Sequence, residues 1–274
     1  MNAIMKSFVL ITVLVQTSLA SAMPEKQESA KVEPPRVELA ILLDTSGSMD
    51  GLLAQAKNRL WDVVNTMATA RKYGVIPDLW VALYEYGKQS LTAESGWIRQ
   101  IVPLSQDLDL ISTELFNLTT NGGDEFCGQA ISRAVTNLKW STGNSYRAIF
   151  IAGNEPFTQG SVDYVGACKT AISKGIIVNT LHCGNEGQGR TGKWDHAALL
   201  SDGKFFNIDH NKTAQSVPTP QDARIRELNK KLNTTYVAFG RGGKEKARRQ
   251  EFADRKASEA PAEADVERAL SKGT

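Results

Sequence analysis

The chain has 274 residues, of which 41% are hydrophobic. This is enough to bury the core of one domain of about 200 residues. The formal net charge of +2, with 23% charged residues, is close to balance and therefore gives no basis for a nucleic-acid or membrane-surface partner.

Residues 1–22 predict a cleaved secretory signal peptide. One basic residue precedes an apolar run over residues 8–15, and an Ala-x-Ala cleavage pattern follows at residues 20–22. The apolar run is short for a membrane span, which needs about 20 residues. We therefore expect a periplasmic or secreted protein with no stable membrane anchor after cleavage. The polar residues 23–36, which contain a Pro pair, predict a linker.

Predicted strands and helices then alternate through residues 37–212. The apolar run at residues 37–44 is typical of a strand buried on both faces. The segment 97–104 is expected to form a hairpin with the strand before it, at a sheet edge where Pro103 is tolerated. This alternation predicts an α/β fold: a doubly wound, mostly parallel six-stranded sheet of Rossmann-like type, with helices on both faces.

The C-terminal part has a different character. Residues 213–240 predict a helix and an extended piece that pack on the domain as an extension. Residues 241–274 are charged and Ala-rich, which predicts a partly disordered tail. The Gly-rich residues 184–193 do not match the phosphate-binding pattern G-x-x-x-x-G-K-[ST], so we expect a mobile surface loop there.

The chain has three cysteines, Cys127, Cys168 and Cys183. An odd number allows at most one internal disulfide, and the sequence does not determine which pair would form it. Buried, unpaired thiols fit the same pattern equally well.

Residues 122–126 spell Gly-Gly-Asp-Glu-Phe, the signature of bacterial diguanylate cyclases. A short motif is a hypothesis that needs its structural context. In those enzymes the motif lies in a hairpin between two strands, whereas here it precedes a predicted helix, "CGQAISRAV". Export would also separate the protein from cytosolic nucleotides. We therefore reject the cyclase interpretation.

The first predicted strand ends in the loop "DTSGSM". Asp44, Ser46 and Ser48 place a carboxylate and two hydroxyls at alternate positions. Ligands of open α/β sheets bind beyond the carboxyl ends of the strands. Hard oxygen donors of this kind favour Mg²⁺, with Mn²⁺ or Ca²⁺ also compatible. The alternative is an ordinary helix cap, since Asp and Ser are preferred at that position.

The segment "LAILLDTSGSM" and the amphipathic helix after it resemble the opening of von Willebrand factor type A (VWA) domains. The D-x-S-x-S loop of that family forms a metal-ion-dependent adhesion site (MIDAS). The resemblance extends from about Val37 to His210, and the "TTNGGDEFCG" and "NTTYVAFG" segments are similar to a bacterial exported subfamily. It implies that Ser46 and Ser48 bind the cation directly, and that Asp44 acts through water or hydrogen bonds.

Two positions depart from the family pattern. Where the family has a metal-binding Thr before the next helix, this chain has Asp124, and where it has an Asp after a later strand, this chain has Gly153. We hypothesise that Asp124 is a direct ligand, with Thr119, Thr120 or Glu155 as further contributors. An added carboxylate would raise the affinity for the metal and weaken its attraction for a partner's carboxylate.

Three functions follow as hypotheses. The first is a non-enzymatic module that docks a protein or peptide through a divalent cation. The second is a metal-dependent hydrolase, although His182, His196 and His210 form no Ser-His-Asp order at strand ends. The third is a structural domain with a degenerate site. Phe157 and Trp194 follow strand-end loops, a position from which they could line a binding rim.

Overall fold

The computed structural model describes residues 34–71, 74–209, 220–235, 237–239 and 242–259. The predicted signal peptide and residues 23–33 of the predicted linker lie outside the described residues, as do residues 210–219 and 260–274. No helix in the described part of the chain is both long and apolar enough to cross a membrane.

The described residues form one six-stranded sheet with helices around it, in the order β3-β2-β1-β4-β5-β6. All neighbouring strands are parallel except β2 and β3, which are antiparallel. This confirms the predicted doubly wound fold. The strands are β1 (Arg36–Asp44), β2 (Asp78–Tyr86), β3 (Ile98–Ser105), β4 (Ser145–Gly153), β5 (Ile176–Cys183) and β6 (Phe205–Ile208). The helices are α1 (Leu53–Thr69), α2 (Leu108–Asn117), α3 (Cys127–Asn137), α4 (Tyr164–Ser173), α5 (Glu186–Thr191), α6 (Trp194–Leu199), α7 (Pro220–Thr235) and α8 (Gly243–Glu259).

Strand β1 lies in the middle of the sheet and is covered on both faces. Leu39, Ile41 and Leu43 pack in one core with apolar residues of α1 and α2. Ala40 and Leu42 point the other way, into a second core shared with α3, α4 and α6. Because successive side chains of a strand alternate between its faces, a strand between two cores is apolar along most of its length. This explains the nearly continuous apolar run of β1, in which the buried Glu38 is paired with Arg36.

Strand β3 lies at the edge of the sheet, as predicted. It pairs with β2 in the antiparallel direction, with register shifts along the ladder. It has one neighbour in the sheet order, so the absent N–H group of Pro103 need not remove a ladder hydrogen bond.

The predicted Gly-rich surface loop is instead the short helix α5, so that prediction is wrong. The side chain of Asn185 caps the helix by accepting a hydrogen bond from the Gln188 N–H at 3.3 Å. One turn later, Arg190 and Glu186 form an ion pair of 2.7 Å. A local cap and an i,i+4 pair therefore offset the low helix propensity of the glycines.

Part of the predicted disordered tail also forms a helix. Residues 243–259 form α8, which packs against α2, and Phe252 lies beside Thr113 and Asn117 of that helix. Helix α7 is linked to α8 through Asn233, whose amide donates to Asp254 at 2.8 Å. The charged composition predicted disorder because it does not reveal that α2 offers a surface for α8 to cover.

A buried lysine joins α1 to the end of α2. The side chain of Lys57 is largely buried, and its ammonium group donates to the carbonyls of Phe116, at 3.2 Å, and Leu118. The last carbonyls of a helix have no partner within the helix. Lys57 therefore stabilises the end of α2 and the start of the loop, residues 118–126, that leads to the carboxyl edge of the sheet.

We expect the substitution Lys57→Met to lower the free energy of unfolding by about 2–3 kcal/mol, because it retains the apolar stem but leaves buried carbonyls without a donor. Urea denaturation would measure the change. Lys139→Met, at an exposed position, is the matched control and should change stability by less than about 0.5 kcal/mol. Equal stability of the two variants would contradict the role assigned to Lys57.

Candidate metal site

The candidate site lies where the order of the strands reverses, between β1 and β4. Asp44, the last residue of β1, pairs with Tyr86 of β2. On the other side, Leu43 pairs with Ala152, so Asp44 lies next to Gly153 at the end of β4. In doubly wound sheets, ligands bind in the crevice at this reversal point.

The loop after β1 brings the predicted residues Asp44, Ser46 and Ser48 together. The N–H of Ser46 donates to Asp44 Oδ1 at 2.8 Å, and the hydroxyls of Ser46 and Ser48 are 2.9 Å apart. The loop is anchored by the side chain of Met49, which is fully buried in the core. Ser46 makes no side-chain capping bond, and the N-cap of α1 is Leu52. The geometry therefore favours the metal interpretation over the helix cap.

Asp44 is fully buried, and its Oδ2 has no hydrogen-bond partner among the described residues. Burial raises the pKa of this carboxyl from 3.8 to about 7, hydrogen bonds from Ser46 act in the opposite direction, and the charges of Glu125 and Glu155 raise it further. An isolated buried carboxylate is unfavourable, and a bound cation would offset that cost. The unpartnered oxygen is thus consistent with a cation site.

Gly153, where the resemblance to VWA domains implies an Asp, is closely packed. A Cβ on Gly153 would lie 2.6 Å from Tyr86 Oη and 3.0 Å from Asp44 Oδ2. The next residue, Asn154, instead contacts the loop directly: its Oδ1 accepts from the Ser48 hydroxyl at 3.0 Å and its Nδ2 donates to the Ser48 carbonyl at 3.2 Å. Asn154 had no predicted role, and its only signal in the sequence is its position next to Gly153.

The loop that contains the Gly-Gly-Asp-Glu-Phe motif lies against the site through its glycines. A Cβ on Gly123 would be 2.3 Å from the carbonyl oxygen of Gly87, the residue after β2. After this close contact the chain exposes Asp124 and buries Glu125, of which 9% is exposed. Glu125 was not predicted as a site residue, because a loop has no periodicity that predicts which side chain faces inward.

The remaining predicted ligands are not buried beside Asp44. Asp124 is exposed, Thr120 is half-buried, and Glu155 is half-buried beside Gln159, whose amide lies 3.4 Å from its carboxylate. No group of three or more His, Cys, Asp or Glu side chains within the described ranges is arranged to hold a metal. A site here would depend on the serine hydroxyls, and the ligand roles of Asp124, Thr120 and Glu155 stay predictions.

The three thiols are buried and unpaired in the structure. Burial raises the pKa of Cys168 and of Cys183 to about 12 and raises that of Cys127 still further. Thiols of this kind are poor nucleophiles, since the thiolate is the reactive form.

The prediction that Phe157 and Trp194 line a binding rim is wrong. Phe157 and Trp194 are fully buried, with ring centroids 4.7 Å apart in an edge-to-face arrangement. The indole N–H of Trp194 donates to the Glu155 carbonyl at 2.8 Å. These rings support the loop after β4 from inside the core and do not form a binding surface.

No protein-family model matches the chain, and no curated protein matches it. Solved structures similar to it include the conserved hypothetical protein BatB from Bacteroides thetaiotaomicron, at 19% identity over 72% of this chain and 98% of that one, with a TM-score of 0.45. The SpRpn10 VWA domain has 14% identity over 73% and 95%, with a TM-score of 0.48. Proximal thread matrix protein 1 from the mussel byssus, with a zinc-occupied MIDAS motif, has 9% identity over 66% and 44%, with a TM-score of 0.49. These similarities are too weak to carry an argument about function.

The contact between Gly123 and Gly87 predicts an asymmetry between two adjacent glycines. Gly123→Ala should cost about 1–3 kcal/mol of unfolding free energy, because its Cβ would overlap backbone atoms. Gly122→Ala is the control, since the nearest atom to its Cβ would be 3.8 Å away, and it should change stability by less than about 0.5 kcal/mol. Chemical denaturation of both variants checks this, and a larger loss at Gly122 would contradict the loop packing.

Proposed function

We propose that this chain is an exported, non-enzymatic module of the VWA type that binds a divalent cation and uses it to dock a protein or peptide partner. The cation would be held by Asp44, Ser46 and Ser48. The single observation that carries the proposal is the buried Asp44 carboxylate, whose Oδ2 has no partner among the described residues, on the same loop as the paired hydroxyls of Ser46 and Ser48. The signal-like N-terminal pattern supports export.

The donor set indicates which ions fit. One carboxylate and two hydroxyls are hard oxygen ligands, which suit Mg²⁺, Mn²⁺ or Ca²⁺ better than ions that favour sulfur or imidazole. When bound, the cation would supply positive charge against Asp44 and a coordination position for an oxygen of the partner. Asn154 holds Ser48 on both its hydroxyl and its carbonyl, so this chain orients that hydroxyl before any ligand arrives.

The surroundings of the site support docking over catalysis. The histidine at the end of β5, His182, lies between Asn207, at 2.8 Å, and the Asn154 carbonyl, at 3.3 Å. His196 contacts the Tyr164 hydroxyl at 2.9 Å. Both rings are thus engaged with groups other than a serine or cysteine nucleophile. The alternatives of a metal-dependent hydrolase and of a degenerate structural domain have no comparable observation in their favour.

Calorimetric titration with Mn²⁺ tests the cation site. The variants Asp44→Asn and Ser46→Ala should bind Mn²⁺ at least about tenfold more weakly than the unaltered protein, since each loses an oxygen ligand or its charge. Ser173→Ala, on an exposed turn of α4, is the control and should bind normally. Saturating Mn²⁺ should also raise the free energy of unfolding, by about 2.7 kcal/mol at one hundred times Kd.

Two results would contradict the cation site. One is the absence of Mn²⁺ binding by the unaltered protein, and the other is equal affinity in the three variants. The Asp44→Asn protein should remain folded without metal, because the substitution removes a buried charge. Its thermal midpoint in EDTA therefore separates a lost ligand from a lost fold.

Capture of partners from a bacterial envelope extract tests the docking role. Partners that depend on the cation should be retained in Mg²⁺ and lost in EDTA or with Asp44→Ala. Restored capture when Mg²⁺ is added back is the positive control. A partner retained equally under all of these conditions would rule out docking through the cation.

A further inference from the structure

We propose that Glu125 supplies the second carboxylate of the cation site, in the place of the carboxylate that Gly153 lacks. On this proposal the neighbouring Asp124, which is exposed, is not a ligand. This inference rests on the proposed cation site of Asp44, Ser46 and Ser48, and it assigns a ligand at a position where neither the sequence pattern nor the resemblance placed one.

The position of Gly87 shows that Glu125 faces the same point as the predicted ligands. A Cβ on Gly87 would lie 2.7 Å from Asp44 Oδ1, 3.1 Å from Glu125 Cγ and 3.4 Å from Ser46 Cβ. Three side chains that approach one point are neighbours of one another. Gly87 has a φ of 78°, a conformation that favours glycine, and its missing side chain leaves these three groups in close contact.

Glu125 is also a carboxylate without a cation to balance it. It is largely buried and forms no ion pair within the described part of the chain. Two adjacent buried carboxylates repel each other, and a shared divalent cation is the ligand that would turn this repulsion into attraction.

The second observation is Asp44 Oδ2, which lies toward Gly153, whereas Oδ1 lies toward Gly87 and Glu125. Oδ2 is buried and has no hydrogen-bond partner among the described residues. The proposed site has four oxygen donor groups: the carboxylates of Asp44 and Glu125 and the hydroxyls of Ser46 and Ser48. The site therefore needs no cluster of three acidic or histidine side chains, in agreement with the absence of such a cluster from the described ranges.

Two contacts of the loop hold Glu125 in its inward position. On one side, Gly123 lies against the backbone of Gly87 and of Gln89. On the other side, Phe126 packs against Gly160, where an added Cβ would lie 2.7 Å from the ring, and Cys127 begins α3 with its thiol 3.7 Å from Tyr86 Oη. The chain between these anchors has two residues, and the structure buries Glu125 and exposes Asp124.

Titration of the full chain with Mn²⁺ distinguishes these two adjacent acids. Glu125→Gln should lower the affinity at least about tenfold, because it removes the charge while retaining the shape of the side chain. Asp124→Asn is the matched control and should stay within about twofold, since an exposed acid outside the site contributes only a screened charge. Electron paramagnetic resonance of Mn²⁺ provides a second measurement. At the same total Mn²⁺ concentration, Glu125→Gln should leave more of the ion unbound than the unaltered protein or Asp124→Asn does.

Thermal unfolding in EDTA separates a lost ligand from a damaged fold. Glu125→Gln should have a midpoint equal to or above that of the unaltered protein, because the repulsion with Asp44 is gone. A lower midpoint would show that Glu125 has a structural role without metal and would overturn the assignment.

The outcomes for this inference and for the proposed function differ. If Ser46→Ala loses Mn²⁺ while Glu125→Gln binds it normally, the cation site stands and the assignment of Glu125 is overturned. The same holds if Asp124→Asn is the variant that loses affinity. If the unaltered protein does not bind Mn²⁺, both proposals fall together.

Discussion

The burial of one carboxylate, Asp44, constrains the rest of the site. It ends a strand that is apolar on both faces and lies in the middle of the sheet, so its side chain is taken out of water by the fold itself. Only one of its oxygens is satisfied, by the N–H of Ser46. Because an unbalanced buried charge is costly, the carboxyl is stable there when it is protonated or when a cation lies against it.

Among the described residues, no positive side chain is found to interact with Asp44, and backbone lies close to its carboxylate instead. Gly87 and Gly153 flank Asp44 at the ends of β2 and β4, and a Cβ on either would come within 3.0 Å of an Asp44 oxygen. These glycines allow the loops to close around Asp44. Gly153 also stands where the resemblance to VWA domains implies an aspartate, and a side chain there would overlap Tyr86 and Asp44.

The loop of residues 122–126 shows what its five-letter motif does in this fold. Gly123 provides a close backbone contact, Phe126 packs beside Gly160, and Glu125 is carried toward Asp44 while Asp124 is exposed. The cyclase interpretation required a hairpin between strands, whereas the structure places the motif directly before a helix. The same residues thus have a structural explanation that involves no nucleotide.

The sequence by itself determined the alternation of strands and helices and the first loop of the site, but not the helices α5 and α8. Local periodicity predicts the apolar run of β1 and the amphipathic character of α1, and Pro103 indicates the edge position of β3. The residues of "DTSGSM" follow directly from the end of β1, as predicted. Local pattern is sufficient there because burial on one or two faces imposes a repeat on the sequence.

Only the tertiary structure decided which acid faces Asp44, that Asn154 holds Ser48, and that α8 covers α2. Each of these depends on contacts between segments far apart in the chain, and loops have no repeat that would encode them. The choice between Asp124 and Glu125 is the clearest case. It is made by the packing of Gly123 against Gly87, a contact between two loops that the sequence cannot bring together without the sheet order.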